Sequence, residues 1–139
     1  MKKYKIILVE NDEDEQLFMK KGFDDAGLFE VLAQVENGDE LFSFLSAYKN
    51  NLPDLVLTDL NMPGKNGYDI IREIRNTPSY SHIPVIVTST SNTKAFIDKC
   101  MEFGAAAYVI KPETFNEYEP FAKNLHGLIE EKQLVKQLS

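Results

Sequence analysis

A chain of 139 residues, 43% hydrophobic and 27% charged, is long enough to close one hydrophobic core and too short for two ordinary domains. Its formal net charge of −7 argues against a nucleic-acid partner, because phosphate neutralisation needs clustered Lys and Arg. The single cysteine, Cys100, excludes an internal disulfide, and His82 and His126 are not spaced as a metal-ligand pair. No segment approaches the ~20 apolar residues of a membrane span. The apolar run Ile6-Ile7-Leu8-Val9 after the basic start is too short for a signal peptide. A cytoplasmic location is expected.

Residues 4–9 are apolar and β-branched and stop at an acidic cluster, so a strand is predicted there. A helix follows from about Asp12 to Ala26, with Leu17, Phe18 and Phe23 expected on its packed side and Gly27 placed to end it. Residues 30–35 form a weaker strand. Asn37-Gly38 then opens a helical run carrying Leu41, Phe42, Leu45 and Tyr48. After Pro53, Leu55-Val56-Leu57 is a short apolar strand ending at Asp59. A loop rich in Asn, Pro and Gly leads to a helix with Ile70, Ile71 and Ile74. Pro84 opens the strand Val85-Ile86-Val87, and a helix from about Thr93 to Phe103 ends at Gly104. Residues 107–110 make the last strand. Thr114 and Glu117 have capping-box spacing before a long helix expected to reach about Gln137.

Strand and helix alternate five times, and the strands are continuously apolar rather than alternating. That pattern indicates strands covered on both faces, as in an open, doubly wound parallel α/β sheet. In such sheets ligands bind beyond the carboxyl ends of the strands. Those ends here carry Glu10-Asn11-Asp12, Thr58-Asp59, Thr88-Ser89 and Lys111-Pro112. Together they have the chemistry of a phosphoryl-transfer site. Asp59 is a carboxylate able to form an acyl phosphate, and Lys111 is a mobile point charge for the phosphate. A hydroxyl stands ready to donate to a phosphate oxygen, and the acids suit Mg²⁺, which takes oxygen ligands and bridges carboxylate to phosphate.

These residues resemble the receiver domain of two-component response regulators over about residues 4–130. The resemblance rests on the acidic cluster after the first strand, Leu57-Thr-Asp-Leu-Asn-Met-Pro-Gly64 with Gly67, and Pro84-Val-Ile-Val-Thr-Ser89. Gly104-Ala105 and Tyr108-Val-Ile-Lys-Pro112 complete it. It implies a single (βα)5 domain over residues 1–139 with strand order 2-1-3-4-5, the flavodoxin-like arrangement. It further implies phosphorylation of Asp59 by a histidine kinase or phosphotransfer protein. In that reading Ser89 and Lys111 contact the phosphoryl group, and Mg²⁺ is held by Glu10, Asn11, Asp59 and the Asn61 backbone carbonyl. Tyr108 is the switch aromatic that follows Ser89, and the peptide before Pro112 is cis.

Asn11 departs from the family's acidic pair. It offers an oxygen but no charge, so weaker metal binding and slower phosphorylation are expected. Asp12 is a candidate to compensate, against its plainer role as an acid at a helix N-terminus. No output domain is expected, so the expected signalling surface includes Phe96, Met101, Tyr108 and Phe121, and Leu134, Val135 and Leu138 offer a candidate homodimer or partner surface. The expected role is a signalling switch, not a metabolic enzyme. Two other readings stay open: a pseudo-receiver that binds proteins without metal, and a phosphorelay intermediate or phosphate sink.

Overall fold

The computed structural model describes residues 3–136. Five strands, β1 (Tyr4–Val9), β2 (Phe29–Val35), β3 (Leu55–Asp59), β4 (Val85–Ser89) and β5 (Ala107–Ile110), alternate with five helices. The helices are α1 (Glu13–Ala26), α2 (Gly38–Ala47), α3 (Gly67–Asn76), α4 (Lys94–Phe103) and α5 (Tyr118–Lys132). All strand pairs are parallel and the order is β2-β1-β3-β4-β5, as expected.

The continuously apolar strands have the predicted cause. Ile7, Val9, Val56, Val85 and Val87 join Leu41, Leu45, Ile70, Ile71, Ile74 and Cys100 under α2, α3 and α4. The alternate positions Ile6, Leu8, Leu55, Leu57 and Ile86 join Met19, Phe23, Tyr118, Ala122, Leu125 and Ile129 under α1 and α5. Each strand thus feeds two cores through its period of two. The helix starts are capped from the sequence: Asp12, Asn37 and Asn66 accept from the backbone N–H groups of Glu15, Glu40 and Asp69.

Three local expectations are corrected. The buried side of α1 is Met19, Gly22 and Phe23, whereas Leu17 is 68% exposed and Phe18 packs its ring on exposed Phe115 instead. Met19 and Phe23, four residues apart, set the face toward the sheet and rotate Leu17 and Phe18 off it.

Thr114 does not form a capping box. Its hydroxyl lies 2.7 Å from the Glu117 carboxylate, because a single 3-10 turn, Phe115–Glu117, comes between it and α5.

The last helix stops at Lys132. Gln133 is left-handed at φ 51°, and the Leu134 N–H bonds back to the Ile129 carbonyl. A continued helix would swing residues 134 and 135 off the face that holds Leu125 and Ile129. Ending it lets Leu134 and Val135 pack, partly buried, on the chain's own core. Gln137 and Leu138 lie outside the described residues.

Candidate phosphoryl-acceptor site

Strand alternation assembles the charged centre. Leu8, Leu57, Ile86 and Val109 face α1 and α5, so Glu10, Asp59, Thr88 and Lys111, each two positions further on, fall on that face at the carboxyl edge. Lys111 lies one residue past β5, but its N–H still bonds the Ser89 carbonyl at 2.9 Å. Its ammonium bonds Glu10 Oε1 at 2.7 Å and Asp59 Oδ2 at 3.3 Å. All three side chains are nearly buried, at 9% exposure for Lys111, 3% for Glu10 and 12% for Asp59. Gly67 is required beside them, since a Cβ there would stand 2.9 Å from Leu60 Cα and 3.0 Å from the Asp59 carbonyl.

Two carboxylates share one ammonium, so neither is fully compensated. Burial raises the Asp59 carboxyl above its ordinary range, opposed by Lys111 and by the Asn61 and Leu60 N–H groups. Burial raises Glu10 as well, against the Lys111 bond. For Lys111, burial works against the charged form. Glu10, Asp59 and Glu15 outweigh it and raise the lysine, keeping it an ammonium.

The sequence-predicted residues divide in three. Glu10, Asp59 and Lys111 meet. Asn11 is exposed and its side chain forms no hydrogen bond among the described residues, while Asp12 is the N-cap of α1, accepting from Glu15 N–H at 3.0 Å. Asn61 is exposed in the loop after β3, which turns at Gly64 with φ 72°.

Ser89 falls on the other face of β4, beside Tyr108, and the two are joined through Ser91. The Ser91 N–H donates to Ser89 Oγ at 3.2 Å, and the Tyr108 hydroxyl donates to the Ser91 carbonyl at 2.5 Å. Thr88 is buried, and its hydroxyl has no partner among the described residues. The Lys111–Pro112 peptide is trans, a correction to the cis form that the resemblance implies. Trans is the lower-energy X–Pro isomer, and with it Lys111 still reaches both acids.

Two residues of the cluster were not singled out from the sequence. Glu15, one turn into α1, brings Oε2 to 4.0 Å from the Lys111 ammonium, and the buried Tyr118 hydroxyl of α5 donates to that same Glu15 oxygen. The available signal was positional: Glu15 lies one helical turn beyond the acidic cluster. Its carboxylate looked like a helix-dipole acid.

Among the described residues no three His, Cys, Asp or Glu side chains converge as a metal cage. Glu10 and Asp59 are nonetheless two adjacent oxygen ligands, with Asn11 and Asn61 on the loops beside them. That donor set fits Mg²⁺, which is commonly held by one or two carboxylates and keeps several waters.

The profile of the response regulator receiver domain matches residues 6–120. The chain is 31% identical over 116 residues to the two-component response regulator-like protein PRR37 of Oryza sativa subsp. japonica, covering 84% of this chain and 15% of that protein. It is 39% identical over 59 residues to the two-component response regulator ARR3 of Arabidopsis thaliana, covering 42% of this chain and 26% of that protein. The chain therefore spans well under half the length of these relatives. Among solved structures, the phosphorylated cyanobacterial phytochrome response regulator RcpA superposes with a TM-score of 0.79 at 28% identity, over 91% of this chain and 93% of that one. The Mn²⁺-bound response regulator Rcp1 shares the fold, with a TM-score of 0.75 at 24% identity over 98% and 99% of the two chains. With the sheet order and the profile match over residues 6–120 in agreement, the chain belongs to the response regulator receiver domain family.

Proposed function

We propose that Asp59 accepts a phosphoryl group from a histidine kinase or phosphotransfer protein in the cytoplasm, and that the change is read out on a protein-binding face. The supporting observation is the convergence of Glu10, Asp59 and Lys111 at the sheet edge, with the Lys111 ammonium 3.3 Å from Asp59. An Asp59 oxygen attacks phosphorus as the bond from phosphorus to the donor's leaving group breaks. The product is an acyl phosphate on Asp59. Lys111 supplies positive charge to the phosphoryl oxygens, and Ser89 donates its hydroxyl to one of them. Glu10, Asp59, the Asn61 carbonyl and Asn11 would hold Mg²⁺, which would supply positive charge to offset the incoming phosphate.

Readout runs through the β4–α4 loop. A rotation of the Ser89 side chain toward a phosphoryl oxygen would carry Oγ away from the Ser91 N–H, which leaves the Tyr108–Ser91 bond free to rearrange. Phosphorylation then shifts a two-state equilibrium. Phe96 and Met101, 42% and 45% exposed on α4, belong to the face that this movement alters.

The test is a small acyl phosphate donor across an Mg²⁺ titration, with mass detection of phosphorylation at Asp59. Phosphorylation that rises with Mg²⁺ and is lost in Asp59→Asn supports the switch. Absence at every Mg²⁺ concentration, with rescue by Asn11→Asp, supports the pseudo-receiver reading. That second reading is favoured by the neutral Asn11 and by a lysine already paired with Glu10 and Asp59. Transfer of the phosphoryl group from Asp59 back to a histidine protein would mark a phosphorelay role.

A further inference from the structure

The Lys111 ammonium occupies the two carboxylates that the proposed cation needs. It lies 2.7 Å from Glu10 and 3.3 Å from Asp59, where a divalent cation on the same pair would repel it at short range. A cation that engages Glu10 and Asp59 therefore favours withdrawal of Lys111 from them. Its next anion is Glu15 Oε2, at 4.0 Å and outside direct hydrogen-bond reach. Glu15 is not a loose surface acid, because the Tyr118 hydroxyl holds it. Tyr118 is buried and clamped in its turn: a Cβ on Gly22 of α1 would stand 2.5 Å from Tyr118 Cβ.

We infer that Glu15, anchored across the α1–α5 interface by Tyr118, is the alternative station for Lys111, and that it positions the lysine when a divalent cation takes Glu10 and Asp59. Glu15 also restores the negative charge that Asn11 removes: Glu10, Asp59 and Glu15 carry three charges against the one ammonium. It is a positioning residue, acting on the cation only through Lys111. The inference rests on the proposed cation-dependent chemistry and adds a residue to it.

The experiment measures Mn²⁺ affinity of the full chain, by the electron paramagnetic resonance signal of free Mn²⁺, in wild type, Glu15→Gln, Lys111→Met and the double variant. Glu15→Gln should weaken Mn²⁺ binding roughly fivefold, the size of one partly exposed charge interaction. The same substitution should have no effect in the Lys111→Met background, where no lysine needs a station. A fivefold loss that persists in that background would overturn the inference in favour of plain long-range charge. Unchanged affinity in Glu15→Gln would overturn it as well. Tyr118→Phe, which removes only the anchoring hydroxyl, should reproduce part of the loss and serves if Lys111→Met does not fold; unchanged affinity in it would then overturn the inference. A wild-type chain that binds no Mn²⁺ or Mg²⁺ at all would instead overturn the cation-dependent reading, and this inference with it. Wild-type binding with no Glu15 dependence would refute the inference alone.

Discussion

Replacing Lys111 with Met removes the one cation among nearly buried acids, and the cost follows from the distances. At an effective dielectric near 20, opposite charges at 2.7 and 3.3 Å attract by about 5–6 kcal/mol each. Desolvation of the three groups cancels most of this. What a deletion measures is the penalty of leaving charge buried and unpaired, ~3–5 kcal/mol for an interior pair. Because Asp59 and Glu15 lie at the open edge of the sheet, about 3 kcal/mol is expected at neutral pH. For a chain of this size that lowers the melting midpoint by about 10 °C.

The loss should depend on pH in a defined direction. Glu10 and Asp59 are already raised by burial with Lys111 present, and removing the ammonium raises them further. A carboxyl raised in the folded state destabilises above its folded pKa and ceases to do so once protonated in both states. The variant should therefore recover toward wild type as pH falls through the raised folded-state range toward the ordinary carboxylate range, measured by urea unfolding. Millimolar Mg²⁺ should restore part of the loss at the higher pH by taking the ammonium's place. A deficit that is absent at neutral pH, or that stays constant across pH, would refute the view that Lys111 holds this site by charge.

Gly22→Ala should destabilise by ~2 kcal/mol despite the better helix propensity, because its Cβ would meet Tyr118 Cβ and backbone at 2.5 and 2.6 Å; a urea midpoint that drops at constant slope is the expected result. Thr88→Val should be neutral or stabilise by up to ~1 kcal/mol, since the Thr88 hydroxyl is buried without a partner among the described residues; thermal unfolding checks it. Cys100 is fully buried and its thiol is raised by burial, so a thiol reagent should label it only on unfolding, at a rate that tracks urea concentration. Tyr108→Phe should cost about 1 kcal/mol through loss of the bond to the Ser91 carbonyl, seen as a lower unfolding free energy.

What the sequence made legible was whatever depends on period and position. Unbroken apolar strands announced two covered faces. The strand ends collected Glu10, Asp59 and Lys111 because parallel strands all finish on one edge. Less legible were the places where a tertiary contact decides. Leu17 and Phe18 are as apolar as Met19 and Phe23, and the face goes inward that carries Met19 and Phe23 together with Gly22, which seats against Tyr118. The end of α5 was hidden for a similar reason: the residues after Lys132 read as helix, but Leu134 and Val135 reach the core only if the helix stops. Glu15 stood in an acidic run where each member looked like a dipole partner. The fold singles it out by placing Tyr118 of α5 against it.

The same alternation that gathers the charges also divides the site. Glu10, Asp59 and Lys111 share the face toward α1 and α5, whereas Ser89 and Tyr108 belong to the face toward α4. Under the proposed chemistry, a charge change at Asp59 must therefore cross the sheet to be read. A chain of hydrogen bonds provides the crossing. Lys111 contacts Asp59 through its ammonium and bonds Ser89 through its backbone N–H at 2.9 Å. Ser89 Oγ holds the Ser91 N–H, and the Ser91 carbonyl holds Tyr108. At 3.2 Å the Ser91-to-Ser89 bond is a long one, and it is made to the side chain whose O–H a phosphoryl oxygen would accept. Accepting from Ser91 and donating to a phosphoryl oxygen use different sites of that hydroxyl, so the first bond yields only when the charge-assisted contact, worth about twice a neutral one, turns the Ser89 side chain. The element that yields first is then the β4–α4 loop, which makes Ser91 the hinge between Asp59 and the exposed surface of α4.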